Sequence, residues 1–414
     1  MGSKYRNSFF DEKRDWSKYK DSILNYYLVP YLQKVKELRK PICIVDMFAG
    51  RGEFKTGEPG SPKIIATRVQ EFVGENVESK VKLRAYENYK PFYAHLAAVL
   101  KPYQFAEVLQ KDCFSDLADI AQLGSGHTLL LYIDPCDVGQ LSLSKLSPIF
   151  DKVKQRSSVE VLMIFMARAF MRQAALALKV ETQHRDQNSS NFPLLLDVDD
   201  DDKAMWGETP NDDTSAVRRA QSQRHRALLS DIAGGDYWDK IVQDAAISWE
   251  ERGAKLVDRY RQRLKTWFSV AEALPVRPDD SQTPKYWILF LSRYEPAFDL
   301  FNRAACNVVR SQRHKASNNT LFPMQAGEAS GASPPVVDRA VKRSAKLHSK
   351  CRWNKLRWET CGGRNVGEYT DSEVDQSIKR LLKDDWLTGA PGNKVEDDAT
   401  LSPTEKLKSW IDRS

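Results

Sequence analysis

In the stretch Ile42-Cys43-Ile44-Val45-Asp46-Met47-Phe48-Ala49-Gly50-Arg51-Gly52-Glu53-Phe54, a short apolar run passes directly into an acid and a glycine-rich turn. Ile42, Ile44 and Val45 are β-branched and uninterrupted by polar residues, as in a central parallel strand covered by helices on both faces. Gly50 and Gly52 lack a Cβ, so the chain can turn there with positive φ and let a ligand lie against the backbone. Asp46 falls at the carboxyl end of the strand, where open α/β sheets bind their ligands. By itself a Gly-x-Gly turn also suits an ordinary loop, and the surrounding sequence must decide.

Strand-like runs recur at Val81-Tyr86, Phe105-Leu109, Thr128-Ile133 and Val159-Phe165, separated by helical or polar sequence, which predicts βαβ units and a parallel sheet. Ahead of the first strand, residues 15-38 read as an amphipathic helix with Tyr19, Ile23, Leu24, Tyr27, Leu28, Tyr31, Leu32 and Val35 at helical spacing, and Pro30 inside it. Residues 180-230 break the pattern with an acidic run from Asp197 to Asp202, then Asp212 and Asp213, then Arg218, Arg219, Arg224 and Arg226; this reads as a solvated insertion. Helical character resumes over 236-272, and Tyr286-Leu291 with the helical segment Ala297-Ala305 reads as a return to the sheet. A Gly/Ala/Ser/Pro linker at 325-335 precedes a basic tail. Within that tail Thr370-Asp-Ser-Glu373 is a capping box, and Trp386-Leu-Thr-Gly could open a hairpin.

The expected organisation is therefore a helical leader (1-40), a Rossmann-like core (41-179), a charged and helical insertion (180-280), a return to the sheet (281-324) and a small winged-helix-like C-terminal module (336-414). A length of 414 residues allows roughly two or three domains. With 41% hydrophobic and 29% charged residues the composition is that of a globular protein. No apolar run approaches the roughly 18 residues that span a bilayer. The opening Met1-Gly-Ser-Lys-Tyr-Arg6 leads into polar sequence without an apolar signal core, so a cytoplasmic location is expected. The six cysteines show no C-x-x-C spacing, which argues against a zinc site or a disulfide framework.

Four acids stand near the ends of predicted strands: Asp46, Glu87, Asp112 and Asp134. An acid after the second strand of a doubly wound sheet can accept both ribose hydroxyls, the role expected of Glu87, and Asp112 could reach an adenine amino group. Each could equally cap the helix that follows. Ser61-Pro62, after the turn Gly57-Glu-Pro-Gly60, reads as an N-cap and first helical residue.

At Phe48-Ala49-Gly50-x-Gly52 and Asp134-Pro135 the chain resembles class I S-adenosylmethionine-dependent methyltransferases. More narrowly, Val45-Phe54, Gly57-Pro62, Ile133-Pro135, Gly234-Gly-Asp-Tyr-Trp238 and the Tyr286-Leu291 strand, roughly residues 15-310, resemble the three-Cys-motif partner family, which has a methyltransferase-like core. The resemblance implies a doubly wound α/β fold and S-adenosylmethionine as cofactor, held by Asp46, Phe48, Ala49, Gly50, Gly52, Glu87 and Asp112. It also implies a reactive edge at Asp134, Pro135 and Cys136, and a three-Cys-motif protein as possible partner.

Where amino-methylating enzymes carry a second Pro and an aromatic after Asp-Pro, to stack the target base, Cys136 and Asp137 stand here. Pro-Cys is also the nucleophile dipeptide of cytosine-C5 methyltransferases, but a thiolate needs a cationic neighbour or a helix end, and Asp134 and Asp137 act in the opposite sense. Arg168 and Arg172 could pair with phosphate across the same cleft. Eight basic residues and one acid lie between Asp338 and Trp358, among them Lys342, Arg343, Lys346, Lys350, Arg352, Lys355 and Arg357, with Trp353 and Trp358 interleaved. Such a stripe binds nucleic acid through counterion release and stacking, unless the tryptophans belong to a small core.

Two functions follow: an S-adenosylmethionine-binding methyltransferase-like protein acting on or alongside nucleic acid, and a non-catalytic partner module docking a metalloenzyme. A nuclease would need acids paired around a metal; Asp46 and Asp134 could approach each other at the sheet edge, but neither belongs to an Asp-x-Asp pattern.

Overall fold

The computed structural model describes residues 11–75, 80–154, 158–178, 215–277, 284–318, 332–389 and 399–412. The acidic run Asp197 to Asp202, with Asp212 and Asp213, lies outside them. By its contacts the chain divides into two compact units, Met1–Tyr294 and Glu295–Ser414. The helix after the Tyr286 strand, expected with the sheet, therefore groups with the C-terminal unit.

In the first unit, helix α1 (Asp15–Val35) precedes β1 (Ile42–Asp46), α2 (Ser61–Glu75), β2 (Val81–Tyr86), α3 (Lys90–Leu100), β3 (Ala106–Leu109), α4 (Leu117–Gly126), β4 (Thr128–Ile133), α5 (Leu143–Val153), β5 (Val159–Phe165) and α6 (Ala167–Leu178). Helices α7 (Ser215–Ala233), α8 (Tyr237–Gln243) and α9 (Trp249–Leu264) follow, then β6 (Val270–Val276) and β7 (Tyr286–Ser292). The seven strands are ordered β3-β2-β1-β4-β5-β7-β6. The first five run parallel, and β7 is antiparallel to both β5 and β6. This is a doubly wound, Rossmann-like methyltransferase sheet. Its order reverses between β1 and β4, so the ligand crevice belongs outside the carboxyl ends of those two strands.

Strands β1, β4 and β5 are buried along their whole lengths, as their continuous apolar runs require. Helix α1 buries the set that the spacing picked out, Tyr19 through Val35. Its Tyr27 ring packs edge-on against Phe290 with centroids 5.7 Å apart, and its hydroxyl donates to the buried Glu160 of β5. Burial pushes the Glu160 carboxyl up to about 7, although the Tyr27 hydrogen bond works against the rise.

The helical reading of 236-272 needs correction, because β6 begins at Val270. Ala271, Glu272, Ala273 and Pro275 have weak strand propensity. Only the antiparallel register with β7, Val270 opposite Ser292 through Val276 opposite Tyr286, fixes the segment as a strand. As the outermost strand of the sheet it tolerates Pro275, which has no N–H to give.

The second unit contains α10 (Ala297–Asn318), α11 (Pro334–Ala345), β8 (Cys351–Arg352), α12 (Trp353–Cys361), α13 (Asp371–Lys383), β9 (Leu387–Gly389), β10 (Thr400–Pro403) and the short α14 (Glu405–Lys408). Its three strands pair antiparallel in the order β8-β10-β9. Three helices with a small strand after the first and a hairpin after the third make a winged-helix module. The capping box forms as read: Thr370 accepts from the Glu373 amide, and Glu373 accepts from the Thr370 amide.

Candidate cofactor and acceptor site

The loop after β1 is fastened on both sides. The Met47 amide donates to the Tyr132 carbonyl and the Ala49 amide to the Tyr86 carbonyl, each at 3.0 Å, so the turn sits across the ends of β4 and β2. Gly50 and Gly52 have φ of 60° and 86°, the left-handed region that favours glycine. Gly52 has a second reason: a Cβ there would lie 2.9 Å from Leu96 Cδ1 and 3.2 Å from Val99 Cγ1 of α3. Its missing side chain thus serves the close approach of loop and helix, and Gly50 supplies the turn.

Asp46 is fully buried at the end of β1. It accepts the Ser61 hydroxyl at 2.7 Å and the Phe48 amide at 3.2 Å. Burial raises its carboxyl to about 7, against the lowering effect of Ser61, and the nearby Asp134 adds to the rise. Ser61, expected as an N-cap, is instead the first residue of α2, and its hydroxyl ties that helix to the strand end.

The sequence reading missed what helix α1 brings to this edge. Lys20 forms an ion pair with Asp134, the two side chains being 13% and 19% exposed. Lys13, two residues ahead of the helix, pairs with its Asp21 at 2.7 Å and donates to the Pro59 carbonyl at 2.6 Å, which ties down the Gly57–Gly60 turn. Burial works against the charge on Lys20, but the carboxylates of Asp134 and Asp21 outweigh it and raise its pKa. Lys20 also feels Cys136 electrostatically, so the cation that the Pro-Cys dipeptide lacked in sequence is present in space. Cys136 is exposed and Pro135 buried. Asp137 turns away to cap the next short helix through the Gly139 amide at 2.8 Å.

Glu87 is half-buried just past β2 and accepts the Tyr89 amide at 2.6 Å with one carboxylate oxygen. Asp112 is exposed and caps a short helix through the Phe114 amide at 3.0 Å, so the capping role weighed for it is real. The rings of Phe48 and Phe114, both half-buried, meet edge-on at 6.0 Å. They form an apolar ledge beside Asp112. Acceptors at the ends of β2 and β3, an aromatic ledge and a left-handed glycine turn fit an adenosine-bearing cofactor. Among the described residues no group of three His, Cys, Asp or Glu is placed to hold a metal, and no helix is long and apolar enough to cross a membrane.

Arg168 and Arg172 lie in the first turns of α6, at the carboxyl end of β5; Arg172 is buried and Arg168 half-buried. The tail residues separate by environment. Arg357 is buried between Asp299 at 3.1 Å and Asp375 at 3.2 Å, and Trp353 is buried with its indole N–H on Asp375. Lys342 lies 3.3 Å from the Trp386 ring centroid, Arg343 pairs with Asp412, and Lys346 donates to the Trp410 carbonyl. Lys350, Arg352 and Lys355 are exposed.

No protein-family profile and no curated protein matches the sequence. Among solved structures, the fibrillarin/Nop5p complex aligns with 31% of this chain and 51% of that chain at 16% identity and a TM-score of 0.23. PKMT2 from Rickettsia typhi, in complex with AdoHcy, aligns with 86% of this chain and 74% of that chain at 9% identity and a TM-score of 0.30. The chain thus spans about half the length of the first. Strand order and register, rather than these alignments, establish the fold.

Proposed function

We propose that this protein is an S-adenosylmethionine-binding methyltransferase acting on nucleic acid. The observation that carries the reading is the Gly50–Gly52 turn at the β1/β4 switch point, flanked by Glu87, Asp112 and the Phe48–Phe114 ledge. Glu87 would take the ribose hydroxyls, and Asp112 with the ledge the adenine. Ala49, Gly50 and Gly52 would form the floor, backed by buried Asp46. The cofactor, when bound, supplies an electrophilic methyl group. The chain's own part is positioning: α1 closes the edge against water, and the Lys20–Asp134 pair holds a charge-balanced polar contact where an acceptor group would sit.

The nucleic-acid part of the reading draws on the winged-helix module. On α13, the second helix of a helix-turn-helix pair, Ser372, Gln376, Lys379 and Lys383 are all exposed at spacings of four, three and four, a single polar and basic stripe. Side chains of this kind on such a helix read base edges and phosphates. Lys350, Arg352 and Lys355 are exposed and would face phosphate from solvent, whereas Arg357 is buried in its ion pairs.

Calorimetry with S-adenosylmethionine on the native chain and on Gly50→Val tests the cofactor. Binding by the first and loss in the second are expected, and no heat with the native chain would defeat the claim. Methyl transfer from labelled donor to mixed DNA and RNA then tests catalysis, with Asp134→Ala expected to abolish it. A second reading, a non-catalytic partner of a three-Cys-motif metalloenzyme, is favoured by two observations: Asp134 is engaged by Lys20, and no aromatic follows Pro135. Cofactor binding without any transfer would select it. Transfer that is lost in Cys136→Ser and retained in Asp134→Ala would select the cytosine-C5 chemistry.

A further inference from the structure

The helical insertion before β6 sorts its charges. Helix α9 carries three acids, and each is engaged: Glu250 pairs with Arg277 at 3.1 Å, Glu251 closes the capping box on the Ser248 amide, and Asp258 pairs with Arg261 at 2.7 Å. Among its cations, Arg252 donates to the Val242 carbonyl at 2.9 Å, and Lys255 reaches Asp244, just past α8, at 3.3 Å. Arg259 and Arg263 are left exposed, and neither side chain makes an ion pair or a hydrogen bond among the described residues. Lys255, Arg259 and Arg263 recur at every fourth position, so they form one row with a cation about every 6 Å along the helix. Like charges at this spacing destabilise a helix, a cost that a bound polyanion would remove.

The row is built into the seam between α9 and the turn that joins α7 to α8. Gly234 has φ of 71°, and a Cβ there would lie 2.6 Å from Leu143 Cδ1 and 3.0 Å from Arg263 Cγ. The Gly234-Gly-Asp-Tyr-Trp238 motif thus leaves bare backbone against which the Arg263 stem rests, and this limits the swing of its guanidinium. Tyr237, half-buried at the start of α8, lies within the electric field of both arginines. Lys240 is exposed, three residues beyond Tyr237 and four before Asp244, on the same side of α8. Lys240, Lys255, Arg259 and Arg263 therefore gather along one seam. The acids beside them are Asp244, shared with Lys255, and the exposed Asp236, while Asp231 is taken up by Ser142 and Ser144. One end of the row points to the reactive edge. Trp249, the first residue of α9, lies beside Ala167 and Trp287, and Trp287 stands opposite Phe165 at the carboxyl end of β5. Lys255 follows about 9 Å along the helix axis from Trp249.

We propose that this seam carries the sugar-phosphate backbone of a nucleic acid strand, with neighbouring phosphates on Arg259 and Arg263 and with Lys240 and Lys255 beside them, and so leads the strand to the edge that holds Asp134. The proposal rests on the nucleic-acid reading of the function and goes beyond it by placing a contact on the methyltransferase unit itself. Phosphates repeat regularly along a strand, and each matches the fork of a guanidinium. A bilayer surface is disfavoured, because the exposed neighbours Asp258, Gln262 and Thr266 offer no apolar face to insert. The test is fluorescence anisotropy of the full chain with a labelled DNA duplex and with its single strand, over a range of salt concentrations, in the native and the Lys379→Ala/Lys383→Ala backgrounds. Arg259→Gln combined with Arg263→Gln keeps most of each stem and removes both charges. This pair should lower the slope of log affinity against log salt by about 2 on the duplex in either background. Arg259→Lys combined with Arg263→Lys should retain the native slope, and both arginine pairs should keep the native thermal midpoint and S-adenosylhomocysteine isotherm. The proposal is overturned if the glutamine pair leaves the slope unchanged, and a drop in the Lys379→Ala/Lys383→Ala chain would then still uphold nucleic-acid binding by the winged-helix module. It is overturned equally if polyglutamate or phosphatidylserine vesicles, and not DNA, lose binding in the glutamine pair. A native chain that binds neither form of DNA removes the nucleic-acid reading itself, and the seam with it.

Discussion

Alanine at Gly52 and at Gly57 separates two reasons for a glycine in this loop. Both residues have left-handed backbone, with φ of 86° and 84°. A Cβ on Gly57 meets nothing within 4 Å, whereas one on Gly52 is driven to 2.9 Å from Leu96 Cδ1 and 3.2 Å from Val99 Cγ1. Gly57→Ala should therefore cost only the backbone penalty, about 1–2 kcal/mol. Gly52→Ala carries the same penalty plus overpacking of about 1–3 kcal/mol, because Leu96 is fully buried on α3 and has little room to withdraw. Urea unfolding followed by far-UV circular dichroism measures both variants. The expected gap between them is about 2 kcal/mol, the middle of the overpacking range. Adding Leu96→Ala to each variant should narrow it, since the new methyl then occupies vacated space, with a coupling of at least about 0.5 kcal/mol. Equal destabilisation by the two single variants would refute the packing account.

Glu160→Gln tests the seal beneath α1. A folded-state carboxyl raised from 4.5 to about 7 contributes stability that is full at acid pH and lost as pH rises towards 7. The variant should match the native chain near pH 4.5 and exceed it at pH 8 by up to about 3 kcal/mol, on 1.36 kcal/mol per unit; a pH-independent difference in urea midpoints would contradict this. Lys20→Met removes the cation paired with Asp134, while Asp21 keeps Lys13, and should cost about 3 kcal/mol in the same assay, with Lys20→Arg recovering part of it. Replacing Lys379 and Lys383 together by alanine should lower the slope of log affinity against log salt by about 2 for duplex DNA; an unchanged slope would take α13 off the nucleic acid.

Much of the sheet was readable because its central strands are buried on both faces and so write themselves as uninterrupted apolar runs. β1, β4 and β5 fall on the residues expected, as does the half-buried β2 despite Lys82 and Arg84, and α1 buries the tyrosines and leucines its spacing identified. β6 escaped because Ala271, Ala273 and Pro275 carry no strand signal of their own and the pairing with β7 supplies it. Lys20 was invisible for a related reason. A lysine between apolar positions of an amphipathic helix looks like solvated surface, and only the packing of α1 on the sheet edge, 114 residues from Asp134 in the chain, turns it inward. The tail shows the opposite error of reading: Trp353 and Arg357 sit in a basic, aromatic stretch that suggests a nucleic-acid surface, yet both are enclosed around Asp375. The signal for the exposed stripe lay further on, in the polar positions of α13.

The leader helix has a consequence for the order in which the protein takes shape. Residues 15–35 are made before any strand, but Tyr27 finds its partners on β5 and β7, at Glu160 and Phe290. Until some 290 residues have been synthesised, α1 has an apolar face and only part of the surface that covers it. Contacts of such long sequence separation slow folding. A chain arrested before β7 would therefore carry the glycine turn, the strand-end acids, the ledge and the Asp134 partner of Lys20, while Tyr27 still lacked the Phe290 ring.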